Sequence, residues 1–164
     1  MLLKPITPCL WYDGQAKEAA DYYVSIFPNS KITSVQKFND SHKAVTDQDT
    51  GSVLTVAFEL NGQPFVGLNG GPHFKFNEAV SFTIQCKDQA EIDYYWDKLG
   101  EGGDESKQRC GWLSDRFGVS WQVVPAALVE LMVSSDPEKA KKTTAAMLQM
   151  KKFDIAALKA AGDS

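Results

Sequence analysis

Acid–base chemistry in this 164-residue chain is limited by two imidazoles, His42 and His73. His42 lies in an almost wholly polar run, 39–52, and His73 follows Gly70-Gly71-Pro72. Imidazole changes charge near neutral pH, at about 6.5 when unperturbed. His73, beside the mouth of any hollow its flanking strands build, is therefore a candidate general base. Glu59 is the second candidate. If strand alternation turns it into a sheltered concavity, desolvation raises its pKa into the range of a working base. Cys9 is flanked by Pro8, Leu10 and Trp11, with no cation or base to form a thiolate, so it reads as a packing thiol rather than a nucleophile. The three cysteines, Cys9, Cys86 and Cys110, are odd in number and lack C-x-x-C spacing, the usage of a reduced cytoplasmic protein.

These groups are positioned by short strands and helices. Residues 6–12 form an apolar run ending at Asp13-Gly14, after which Ala16, Ala19, Ala20, Tyr23, Val24 and Phe27 recur at helical spacing. Pro28-Asn29 ends that helix. Residues 31–38 read as a weak strand, and 39–52 as a mobile loop. Along 53–60, Leu54, Val56, Phe58 and Leu60 alternate with Thr55, Ala57 and Glu59, the pattern of a half-buried strand. Asn61-Gly62 tolerates the positive φ of a type I′ turn and joins it to an antiparallel strand at 63–69. Residues 80–86 alternate again, and Asp88 with Glu91 makes a capping box for a helix whose Ile92, Tyr95, Trp96 and Leu99 share a face. A hairpin at 112–115 and 119–125 and a helical tail, 126–164, follow. Ser135-Asp136-Pro137-Glu138 starts the main tail helix, with an apolar stripe of Ala140, Thr144, Met147 and Leu148 continued by Ile155, Ala156 and Leu158.

Asp13, Gln15-Ala16 and Asp21-Tyr22-Tyr23 recur as Asp88, Gln89-Ala90 and Asp93-Tyr94-Tyr95, 72 to 75 residues later. The matching element order predicts one α+β domain over 1–164, built from two βαβββ modules at about 3–69 and 80–125 with a C-terminal helical extension. The modules are expected to form a cupped mixed sheet with helices on its outer face. Alternation then lines the concave face with Thr55, Ala57, Glu59, Ser81, Thr83, Ser120 and Gln122, and Asn69 and His73 are expected to join this ligand-binding cup, His73 near its rim. Trp11, Phe65, Phe74, Phe76, Trp112 and Trp121 are aromatic enough in number to line an apolar pocket, with Trp121, on the side opposite Gln122, assigned to the core.

Pro8-Cys9-Leu10-Trp11-Tyr12-Asp13-Gly14, Phe65-Val66-Gly67-Leu68-Asn69-Gly70-Gly71-Pro72, Phe76-Asn77-Glu78-Ala79-Val80-Ser81-Phe82 and Asp115-Arg116-Phe117-Gly118-Val119-Ser120-Trp121-Gln122-Val123 resemble the PhnB-like proteins of the vicinal oxygen chelate superfamily, the group of glyoxalase I, bleomycin-resistance proteins and extradiol dioxygenases. The resemblance implies paired βαβββ modules, a cup and a homodimer, without implying one reaction. Metal-dependent members carry His, Glu or Gln ligands at four places. By strand spacing these fall at 6–8, 67–69, Ser81 and Gln122, where only Gln122 is a plausible ligand, so no metal site and no cofactor are expected. The group has also carried a ubiquinone-pathway methyltransferase label, but Gly70-Gly71-Pro72 lacks the following helix of an S-adenosylmethionine turn.

A net charge of −4 and a pI of about 5.2 give no electrostatic footprint for nucleic acid. No stretch has the roughly 20 apolar residues of a membrane span, and 1–5 is too short for a signal peptide. The expected protein is cytoplasmic, binds a small organic molecule, and pairs with itself. A metal-dependent lyase or dioxygenase is the alternative, and a dimeric module with a filled cup another.

Overall fold

The computed structural model describes residues 6–44, 48–132 and 136–163. Two compact units divide between Lys75 and Phe76, in the interval between the two modules expected from the repeat.

The first unit runs β1 (Cys9–Tyr12), α1 (Ala16–Ile26), β2 (Lys31–Lys37), a 3-10 turn (Asp40–Ala44), β3 (Val53–Leu60) and β4 (Gln63–Asn69). Within the polar run 39–52, expected as a mobile loop, Asp40–Ala44 form the 3-10 turn. The sheet order is β1-β4-β3-β2, with β1 parallel to β4 and the other pairs antiparallel. Asn61 and Gly62 have φ of 47° and 83°, the conformation expected of the β3–β4 turn. Val56, Phe58 and Leu60 are buried, and Tyr23 of α1 stacks on Phe58, which stacks on Phe65. Burying each such ring removes water from apolar surface worth about 1.5–3 kcal/mol. Ala16, Ala19 and Ala20 let the helix lie close to the sheet. At its nearest approach a Cβ on Gly67 would stand 3.2 Å from that of Ala16. The helix ends with the Phe27 N–H on the Tyr23 carbonyl, just before Pro28.

The second unit runs β5 (Ser81–Cys86), α2 (Gln89–Gly100), a 3-10 turn (Glu105–Lys107), β6 (Trp112–Ser114), β7 (Ser120–Pro125), α3 (Leu128–Met132), α4 (Pro137–Gln149) and α5 (Ile155–Asp163). Its sheet order is β5-β7-β6, β5 parallel and β6 antiparallel to β7. This module has one strand fewer than the first among the described residues. Where β2 stands in the first unit, the chain here takes glycine turns and a 3-10 turn between α2 and β6. Asp88 caps α2 through the Glu91 amide, while Glu91 accepts from the Lys87 amide. Ile92, Trp96 and Leu99 are buried with Leu113, Trp121 and Val123, so Trp121 lies in the core as expected.

The helical tail belongs to this second unit. Asp136 caps α4 and Pro137 stands in its first turn; Ser135 of the expected start lies outside the described residues. Phe153 and Leu158 are fully buried, and a Cβ on Gly111 would stand 2.4 Å from the Phe153 ring. Cys110 and Gly111 amides donate to the Met150 and Lys151 carbonyls, and Gln89 bonds both the Phe153 carbonyl and the Ile155 amide. Lys152 adds an ion pair with Asp93.

Candidate functional site

In the first unit the side chains of β3 and β4 divide by parity. Val56, Phe58, Leu60, Phe65, Gly67 and Asn69 turn towards α1. Thr55, Ala57, Glu59, Val66 and Leu68 turn the other way, alongside Cys9 and Trp11 of β1, as the register pairs Cys9 with Val66 and Trp11 with Leu68 require. On this face away from the helix, Trp11 is held by two contacts. Its indole N–H donates to the Gly71 carbonyl at 2.8 Å, and its ring meets Phe74 edge-on at 4.9 Å. Gly70 makes this possible, since a Cβ there would fall 2.1 Å from the indole. Phe74 is 66% exposed. The result is a fixed aromatic pair at the end of an apolar patch of Ala57, Val66 and Leu68, with the Thr55 hydroxyl beside it. Thr55 donates to Gln36 across the sheet.

Three expected lining residues occupy other roles. Asn69 shares the parity of Phe65, not of Leu68. It is buried, its Oδ1 accepts from the Ala16 amide at 2.8 Å and its amide donates to the Val53 carbonyl. It supplies the cap that Gln15 does not give α1, and it does not line the face away from the helix. Glu59 does turn to that face, but at the strand end, where Lys31 stands 3.5 Å away. There it is paired with a lysine and part-exposed rather than enclosed in a concavity. His73 is exposed in the loop after Gly71.

In the second unit the face away from α2 carries Ser81, Thr83, Gln85, Gln122, Val124 and Trp112. Gln122 donates from Nε2 to the Ser81 hydroxyl at 2.9 Å, so these two expected residues stand together. Thr83, the register partner of Gln122, is exposed beside them. Ser120 has the same parity but is 2% exposed, its hydroxyl directed at the Asn77 carbonyl, and so is covered rather than offered to a ligand. The DRFG turn between β6 and β7 is built on Asp115, whose Oδ1 accepts from the Phe117 and Val119 amides and whose Oδ2 accepts from the Trp121 indole. Cys86 is sealed beneath α2, and burial, with Glu91 and Asp88 nearby, pushes its thiol up to about 12, which removes it as a nucleophile.

The places where a divalent metal is expected in this type of fold do not make a ligand set. Gly67 has no side chain, Asn69 is tied to α1, and Ser81 and Gln122 offer a hydroxyl and an amide bonded to each other. No group of three or more His, Cys, Asp or Glu suited to a metal occurs among the described residues. The residues present do not fit the metal.

The mixed α+β units are those of a glyoxalase-type protein of the vicinal oxygen chelate superfamily. A family model described as 3-demethylubiquinone-9 3-methyltransferase matches residues 4–124, and the chain belongs to that family, the PhnB-like branch. It is 32% identical to the PhnB protein of Bacillus cereus, which carries the same methyltransferase label, over 75% of this chain and 100% of that one, with a TM-score of 0.63. Protein PA1353 of Pseudomonas aeruginosa shares the fold at 17% identity, covering 75% of this chain and 98% of its own, TM-score 0.56. The fosfomycin resistance protein FosX of Listeria monocytogenes does so at 16% identity over 82% and 100%, TM-score 0.52. No curated protein matches the chain.

The Trp11–Gly70–Phe74 arrangement was missed at the level of sequence, although both aromatics belonged to the pocket-lining set. The signal was parity: Leu10 and Tyr12 bracket Trp11, so burying them turns Trp11 to the other face.

Proposed function

We propose that this protein binds a small planar organic molecule, of the quinone or aromatic class, on the helix-free face of its first sheet and without a metal ion. The observation that carries the reading is the Trp11–Phe74 pair, fixed by Gly70 and Gly71 beside an apolar strip of Ala57, Val66 and Leu68. Flat rings stack on such surfaces, and a preset indole loses little entropy on binding. The quinone named in the family's description agrees with that ligand class. No side chain on this face is set up as an acid or base, so binding rather than turnover is the activity proposed.

Calorimetric titration with 2,3-dimethoxy-5-methyl-1,4-benzoquinone tests this. Saturable binding is expected, weakened about tenfold in Trp11→Ala, the equivalent of about 1.4 kcal/mol of ring contact. The family description also favours methyl transfer. That requires S-adenosylmethionine, yet Gly70-Gly71-Pro72 runs on towards β5 rather than into a helix. Heat from S-adenosylhomocysteine would establish the methyltransferase reading instead. Stoichiometric retention of Mn²⁺ after gel filtration would sink metal independence; FosX of Listeria monocytogenes has been crystallised with Mn(II) and sulfate.

We also propose a two-fold homodimer. β2 is an edge strand, exposed along nearly its whole length, and unpaired edges favour a partner. Of the tail stripe, Leu158 is buried within the second unit while Leu148 remains exposed. Light scattering should give about twice 18.1 kDa; a monomer mass that persists as concentration rises refutes pairing.

A further inference from the structure

The second unit carries an open groove of about 410 Å³ lined by Glu78, Lys107, Arg109, Cys110, Trp112 and Leu148. This volume lies in the range of small-molecule sites. Leu148 belongs to the tail, beyond residues 4–124 matched by the family model, so the wall it forms is an addition to the family's common frame.

Two of the lining residues are neighbours across a very tight turn. Arg109 and Trp112 exchange backbone hydrogen bonds of 3.1 and 2.8 Å and form an antiparallel bridge. Cys110 and Gly111 between them have φ of 50° and 80°. Residues paired in this way present their side chains on the same side. A cysteine in the left-handed region is costly, and here it is held by the tail, whose Met150 and Lys151 carbonyls accept the amides of the turn at 2.8 Å. The turn thus sets Arg109 and Trp112 on one side of the groove, with Leu148 as a further apolar wall.

The charges of the groove do not cancel. Lys107 is paired with Glu78 at 2.7 Å, and each holds the other charged, Glu78 below and Lys107 above its ordinary pKa. Arg109 has no carboxylate partner among the described residues. The groove therefore keeps one positive charge, on the side chain whose planar fork matches a carboxylate.

We propose that this groove is a second binding site, for an aromatic carboxylate, with the ring against Trp112 and Leu148 and the carboxylate on Arg109. Titration calorimetry with 2-naphthoate is the test, with 2-naphthol as the uncharged control. Wild-type protein should bind one naphthoate per chain. Arg109→Gln, an exposed change, should weaken naphthoate at least about tenfold and leave naphthol unaltered, and Leu148→Glu should weaken both. Trp11→Ala should leave naphthoate binding intact, and Arg109→Gln should leave benzoquinone binding intact, so the two sites succeed or fail separately. Equal naphthoate affinity in wild type and Arg109→Gln, or no saturable heat with naphthoate at all, overturns the proposal.

Discussion

Replacing Asp115 should unsettle the second unit more than any surface change. The carboxylate is 2% exposed and accepts from the Phe117 amide at 2.9 Å, the Val119 amide at 3.0 Å and the Trp121 indole at 2.8 Å. In Asp115→Ala the Val119 amide and the indole N–H stay buried without these acceptors. At about 1–3 kcal/mol for each orphaned donor, plus the lost bond at Phe117, the cost is about 3–5 kcal/mol. That is a large share of the roughly 5–15 kcal/mol by which such a domain is stable. Asp115→Asn can keep Oδ1 on the two amides but turns an NH₂ towards the indole N–H, donor against donor, for about 1.5–3 kcal/mol. Urea unfolding followed by tryptophan fluorescence and circular dichroism measures both. A double-mutant cycle with Trp121→Phe isolates the indole bond. Asp115→Asn should cost less when Trp121→Phe is already in place, because the conflicting donor is gone. If Asp115→Asn stays within about 0.5 kcal/mol of wild type, the size of an ordinary surface change, or if the cycle is additive, the carboxylate does not organise this turn.

Asn69→Ala should cost about 1–2 kcal/mol by removing the cap of α1, read as a lower urea midpoint with unchanged slope. Gly111→Ala meets both a positive φ and the Phe153 ring at 2.4 Å, so it should loosen the tail and speed amide exchange at 150–158. The Lys152–Asp93 pair gives a signed pH dependence. Hydrogen bonds from Lys152 and Gln89 hold Asp93 below its ordinary 3.8, so its contribution is complete above about 3.8 and lost as pH falls through the lower folded value. Lys152, raised from 10.5 chiefly by Asp93, contributes fully below that value and loses its part as pH rises through the higher folded one. Lys152→Met should therefore flatten the acid limb of the melting-temperature profile, and an unchanged limb would dismiss the pair.

Legibility in the sequence followed locality. β3 and β4 were readable to the residue because alternation and Asn61-Gly62 are signals of a few adjacent positions. The Asp88–Glu91 cap was readable for the same reason. The repeat matched the strand-to-helix opening of each unit but not every strand or contact: the second unit has no counterpart of β2 among the described residues, and Tyr23 is fully buried, while at the matching place in α2 it is Trp96, beside Tyr95, that enters the core. α1 also borrows its cap from Asn69, 53 positions away in sequence, a partnership no local pattern announces. Asn69, expected in the cup, shares the parity of Phe65 and so turns to α1 instead. Gln122 with Ser81 was reachable from strand alternation, whereas the Trp11 clasp depends on a glycine whose missing side chain leaves no mark in hydropathy.

The tail's hold on the Cys110-Gly111 turn has a consequence for the order in which the protein can take shape on the ribosome. The first unit has every strand of its sheet once residue 69 has emerged. The second unit's three strands are all synthesised by residue 125, yet the ring that fills the space at Gly111 is Phe153, and the carbonyls that hold the turn belong to residues 150 and 151. A nascent chain therefore presents a finished first unit next to a sheet with an unfilled hollow until the tail has been made. Over that interval the Cys110-Gly111 turn lacks the ring and the carbonyls that close it, and incompletely packed chains are the ones that associate wrongly. The closing of the second unit is thus timed by the segment between its last two helices rather than by its last strand.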